Sequence, residues 1–171
     1  MTDNSFLIPF QTKTKRVEET WIDYNGHMNV AYYTMAFDDA IDEFLDTNIG
    51  LGSSFIKENG QGSYALQTQY RYLNELLLGS TFMVVIFVAD HTSKRMHLML
   101  KMSNTNSSIT FATCETILVN VDLKNRKSCN YPEFAQTKIR KLYEAASNLR
   151  SSTELGHPIG LQTKTSGKNF K

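Results

Sequence analysis

The sequence predicts an α+β fold: five antiparallel strands in one sheet wrapped around a single long helix, plus a helix at the C-terminal end. The prediction rests on three features. From Val30 to about Asp46, apolar residues return at three- and four-residue spacing. Between residues 63 and 121, four stretches rich in β-branched, aromatic and methionine side chains are separated by short polar breaks. From residue 132 a helical pattern returns. Helices segregated to one face of an antiparallel sheet satisfy this order.

Taken in turn, "TKTKRVEETWI" (12–22) has the β-branched and aromatic character of a first strand. The helix places Tyr33, Ala36, Phe37, Ala40, Ile41 and Phe44 on one face and leaves Asp38, Asp39, Asp42, Glu43 and Asp46 on the other. Asn29 suits its N-cap, because its side chain accepts an orphan backbone N–H. Gly50 and Gly52 end it. A glycine-bearing connection leads to the strands "SYALQTQYRYL", "STFMVVIFVAD", "RMHLMLKM" and "TFATCETILVNV". Breaks such as "HTSK" and "SNTNSS" suit hairpins between antiparallel neighbours. Phe82 to Ala89 is apolar on both faces, which places it inside the sheet. "PEFAQTKIRKLYEAASNLR" is the terminal helix, with Pro132 in its first turn. Residues 1–161 read as one domain and 162–171 as a polar tail with nothing to bury. A small sheet on one helix leaves an edge and an uncovered face, and so predicts a homodimer.

Lysine plus arginine number 18 and aspartate plus glutamate 17, a net charge of +1, which gives no support to nucleic-acid binding. Cys114 and Cys129 are too few for a disulfide framework and form no metal-ligand pair by spacing, so they read as reduced thiols. No metal is expected. The longest apolar run falls far short of the roughly 20 residues of a membrane-spanning helix. "FLIPF" lacks a basic lead-in and a cleavage pattern, so neither signal peptide nor membrane contact is expected and the location is cytoplasmic.

The candidate site is the polar knot of "WIDYNGHMNVAYY" (21–33), just before the helix. Asp23, Asn25, Gly26, His27 and Asn29 either shape a turn and cap the helix or gather around a substrate. A helix N-terminus offers unpaired N–H groups to an anion or a polarised carbonyl oxygen. With a thioester carbonyl there, the Val30 amide would stabilise the developing oxyanion. Asp23 would attack the carbonyl or activate a water, and Gly26 would permit a backbone shape or a close approach. The knot's spacing does not choose between these readings.

"DYNGHMNVAYY" resembles the Asp-x-x-Gly-His-x-Asn-x-x-Tyr signature of the hotdog-fold acyl-CoA thioesterases related to 4-hydroxybenzoyl-CoA thioesterase. "YRYLNELLLGSTFMV", "KRMHLMLKM" and "FATCETILVNVD" resemble the family's later strands, so that the likeness runs from about Thr14 to Leu142. Within the family the chain looks most like the betainyl-CoA thioesterases of carnitine breakdown, which carry a similar "DYNGHMN-x-AYY", a similar "YL-x-E" and a C-terminal run similar to "HPIGL" (157–161). The resemblance implies hydrolysis of an acyl-CoA without a cofactor, coenzyme A being part of the substrate, by dimers or dimers of dimers. Asp23 falls on the family's catalytic carboxylate, nucleophile or general base, and the Val30 amide on the group that polarises the thioester. Gly26, His27 and Asn29 match the signature, and Glu75 matches a carboxylate of the facing strand region. The chain departs from the family at Asn74, where a proline is widespread, and in the apolar Leu77 and Leu78, differences that bear on the acyl pocket rather than the chemistry.

A betaine acyl group ends in a quaternary ammonium, which aromatic faces bind. Trp21, Tyr24, Tyr32 and Tyr33 lie near the knot, with Tyr70 and Tyr72 on the facing strand; helix geometry sends Tyr32 and Tyr33 in different directions. The same aromatics would equally serve a core or a dimer interface. The basic clusters Lys94–Arg95, 124–127 and 138–141 read as solvated surface and are assigned no phosphate. The competing reading is a non-catalytic acyl-CoA sensor or interaction protein on the same fold. A hotdog hydratase fits poorly, since its Asp-x-Asn-Pro-x-His signature has a proline this chain lacks.

Overall fold

The computed structural model describes residues 9–159 apart from 106, 108, 152 and 154. The long helix α1 spans Val30–Phe44, and Asn29 caps it: the Ala31 N–H donates to its side-chain oxygen at 2.9 Å. Tyr33, Ala36, Phe37, Ala40 and Phe44 are buried, the face the periodicity predicts, while Ile41 is half-buried. The helix ends two residues sooner than expected. Leu45–Ile49 winds on as a wider π turn, and Gly50 stops it at φ +85°, its N–H donating to the Leu45 carbonyl.

β3 (Gln61–Tyr72), β4 (Thr81–His91), β5 (Arg95–Ser103) and β6 (Thr110–Asp122) are the four expected strands, all antiparallel. The sheet order is β1-β4-β5-β6-β3, so the chain crosses from β3 at one margin to β4 near the other and is bonded to the start of α1 as it does. Alternate residues face the helix: Phe82, Val84, Ile86 and Val88 on β4, Leu98, Leu100 and Met102 on β5, Cys114 and Leu118 on β6.

The expected first strand is not continuous. Two short pieces, β1 (Phe10–Gln11) and β2 (Lys15–Arg16), pair with β4. Between them the Thr12 hydroxyl accepts the Val84 N–H and interrupts the ladder. Beyond β2, Glu19–Trp21 curls into a 3₁₀ turn that the aromatic and β-branched composition of "EETWI" conceals. Two further elements were not expected. Ser53–Asn59 (α2) is a short helix inside the glycine-bearing connection, and Lys127–Ser128 (β7) extends the sheet beside β6.

The terminal helix divides. Glu133–Ala145 (α3), with Pro132 at its N-cap, buries Ala135, Ile139 and Leu142 in the main core; Ser147–Ser151 (α4) follows a break at Ala146. That break explains the two apolar faces of β4. Phe87 and Ala89 point away from α1 and pack with Met99 under Ala146, Leu149 and Leu155. The segment beyond α4 is tied to the same outer face: Glu115 accepts the Gly156 N–H, and Gln69 donates to the His157 carbonyl at 2.7 Å. Of "HPIGL", Gly160 and Leu161 lie outside the described residues, as does the predicted tail 162–171. No helix among the described residues is long and apolar enough to cross a membrane.

Candidate active site

The loop from Ile22 to Met28 is closed by its own backbone. The Asp23 N–H donates to the His27 carbonyl at 3.1 Å, the Gly26 N–H to the Asp23 carbonyl at 3.0 Å, and Ile22 bridges Met28. One Asp23 oxygen accepts the Asn25 N–H at 2.8 Å; the other has no partner among the described residues. Gly26 sits at φ +82°, a backbone shape that favours glycine, and none of the chain's own atoms lies within 4 Å of the position a Cβ would take. His27 donates from Nδ1 to the Met28 carbonyl at 3.1 Å, an acceptor only, which leaves Nε2 as the basic nitrogen of the neutral ring.

The connection from β3 to β4 is stitched to the start of α1 through Leu76, itself fully buried. Its carbonyl accepts the Met28 N–H at 2.8 Å, and its N–H donates to the Tyr33 hydroxyl at 3.2 Å. An open cavity of about 380 Å³ lies between the two segments. His27, Met28 and Val30 line it from the helix start, Tyr72 to Glu75 from the end of β3, with Tyr33 beneath. The Val30 N–H, first of the helix, has no acceptor among the described residues.

The Tyr33 and Tyr72 rings meet edge-to-face, 5.2 Å apart at 76°. Behind them Tyr72 stacks on Tyr70, and Tyr70 lies against Phe37. Burial raises the phenol pKa of Tyr33 above its ordinary value, against the opposing pull of the Leu76 N–H. Burial likewise pushes the Cys114 thiol up to about 12, which keeps it protonated and inert. Both cysteines are free thiols.

Val30, His27, Tyr33, Tyr72 and Glu75 are thus brought together around one cavity. The other residues singled out in the sequence stand around that lining rather than in it. Asn29 spends its side-chain oxygen on the cap. Trp21 stacks on Tyr32 at 5.5 Å and packs against Phe82, so it braces the loop. Tyr24 is 97% exposed. Asp23 is half-buried one hydrogen-bonded turn before the cavity. The clamp at Leu76 went unseen in the sequence, because a leucine among leucines carries no mark of its backbone partners. Asn74, seen only as a departure from the family pattern, lines the cavity; its side chain donates to the Thr110 carbonyl at 2.7 Å.

A sheet wrapped on one helix, with its cavity at the helix start, defines the hotdog class. Residues 17–139 match the model of the thioesterase-like superfamily, and the chain belongs to that family. Among solved structures it is similar to a Staphylococcus aureus protein determined in complex with CoA (27% identical, TM-score 0.79, covering 90% of this chain and 96% of that one). A putative thioesterase from Pseudomonas putida is similar too (27% identical, TM-score 0.76, 91% and 98% covered). Among relatives of known name, the chain is 28% identical to the L-carnitine dehydrogenase/betainyl-CoA thioesterase of Rhizobium meliloti, matching 89% of this chain but 30% of that protein's length. It is 28% identical to the betainyl-CoA thioesterase of Pseudomonas aeruginosa, over 82% of this chain and 88% of that one.

Proposed function

We propose that this chain hydrolyses an acyl-CoA thioester to a free acid and coenzyme A, with betainyl-CoA as the substrate its named relatives favour. The observation that carries the reading is the unpaired Val30 N–H in the cavity wall, directly after a loop that holds a carboxylate with one oxygen uncommitted. A thioester carbonyl oxygen laid on that amide gains a donor at the point where negative charge develops. Asp23 then supplies the carboxylate. It attacks the carbonyl carbon, giving a mixed anhydride that water opens, or it takes a proton from an attacking water. Both routes expel the coenzyme A thiolate and place the same charge on the oxygen facing Val30. The reading needs no metal or organic cofactor.

A homodimer is proposed with it. Among the described residues β3 pairs only with β6, and its free edge and flank expose Tyr64, Leu66, Tyr72 and Leu73, an apolar edge that in a lone chain would invite pairing. Pairing of two dimers is the next level of the proposed assembly, and a cytoplasmic location fits two reduced thiols. The test is free-thiol release from a panel of betainyl, short, medium and aromatic acyl-CoAs, with sedimentation analysis of mass. Turnover by a dimer, lost in Asp23→Asn, is expected. Binding of acyl-CoA with no thiol released from any member would replace the hydrolase with the sensor.

A further inference from the structure

We infer that the cavity chooses its acyl group by positive charge, with Tyr33, Tyr72 and Glu75 forming the receptor for a quaternary ammonium head. The inference rests on the hydrolase reading for its substrate but on the cavity alone for its chemistry. The two rings meet edge-to-face at 76°, so the half-exposed Tyr72 offers its surface to a cation while buried Tyr33 braces it. The pair is built in advance. Tyr33 is buried on α1 and held through its hydroxyl by the Leu76 N–H, and Tyr72 is backed by Tyr70.

Among the described residues Glu75 is the one carboxylate in the cavity wall, and neither lysine nor arginine lines it. An alkyl or aryl acyl group pressed into this wall would strip water from Glu75 and return nothing. A trimethylammonium group would offset that loss and gain the Tyr72 ring. The neighbouring cavity on the outer face of the sheet has the opposite sign, with Arg71 and Lys101 in its wall and Leu73 shared between the two. Charge therefore separates the inner cavity from its neighbour across a single strand end.

The experiment compares betainyl-CoA with 3,3-dimethylbutanoyl-CoA, the same shape with carbon in place of the charged nitrogen. The expected wild-type preference in kcat/KM is about 100-fold for the cation, and Glu75→Gln and Tyr72→Leu are each expected to cut that ratio about tenfold. Both positions are exposed in the chain, and because Tyr72 also lies on the edge proposed for the dimer, an unchanged sedimentation mass is required of Tyr72→Leu before its ratio is read. Equal use of the two substrates, or an unchanged ratio in both variants, overturns the inference while leaving the hydrolase intact. So does a Glu75→Gln loss that is equal for both substrates, because it moves the carboxylate into the chemistry. Should no thioester release thiol, the hydrolase reading fails, and NMR titration with trimethylglycine against 3,3-dimethylbutanoate decides charge selection by itself. A preference for trimethylglycine that disappears in the two variants supports the receptor, and no preference overturns it.

Discussion

Asp23 and Asp122 open turns of similar chemistry, "DYNGH" before α1 and "DLKNR" after β6, and the two loops spend their carboxylates differently. Asp122 is consumed by its own turn. One oxygen accepts the Lys124 and Asn125 N–H groups, both at 2.9 Å, and the other accepts the Asn125 side chain. Those bonds, from Asn125 first, hold its pKa below the ordinary carboxylate value. Asp23 gives one oxygen to Asn25 and keeps the other, half-buried beside a helix start whose first amide is also unspent. A carboxylate that serves only its turn uses all its acceptors locally. An uncommitted one, set next to an uncommitted donor, is available to a ligand.

The sharpest way to break this contrast is Asp23→Asn. The amide still accepts the Asn25 N–H, so stability should move by no more than about 0.5 kcal/mol. Thioester hydrolysis should fall by about 10²–10⁴-fold. Retained activity would make the two aspartates equivalent turn formers.

Val30→Pro isolates the other partner. Proline is tolerated at the first helical position, and Asn29 already has the extended backbone (ψ 144°) that proline asks of its predecessor. The helix should survive while the N–H disappears, lowering kcat by about 10²–10³-fold with the far-ultraviolet circular dichroism unchanged.

The end of the sheet around Asp122 should answer in stability instead. Asn120 is buried there, its side-chain nitrogen near Gln61 Oε1, Cys129 Sγ and the Asn130 carbonyl. Asn120→Ala should lower the unfolding free energy by about 1–3 kcal/mol in urea, with the folded variant still active.

Asp122→Asn should give the smallest effect, and one that depends on pH. The depressed pKa contributes stability above the unfolded value, about 3.9, and loses it as pH falls through the folded value. The wild-type advantage in Tm should therefore be steady at neutral pH and close below about pH 4. An advantage that grew in acid would reverse the assignment.

Much of this was legible in the sequence, and for a local reason. The face of α1, its Asn29 cap and the four long strands follow from side-chain period and from hydrogen bonds between near neighbours. The first strand failed because the Thr12 hydroxyl competes with the β4 ladder, a partner 72 residues away. The terminal helix divides because Ala146 must turn to cover Phe87 and Met99, which composition cannot report.

At the site, the sequence alone determined which residues surround the helix start and that one of them is a carboxylate, since turn chemistry and helix-start donors are fixed by order along the chain. Only the tertiary structure decided which of them face a cavity. Leu76 ties the end of β3 to Tyr33 and Met28, and with that bond Tyr72 and Glu75 come opposite Val30 while Trp21 and Tyr24 turn elsewhere. Contacts between segments more than 40 residues apart depend on how the sheet wraps the helix, and no pattern within either segment encodes that.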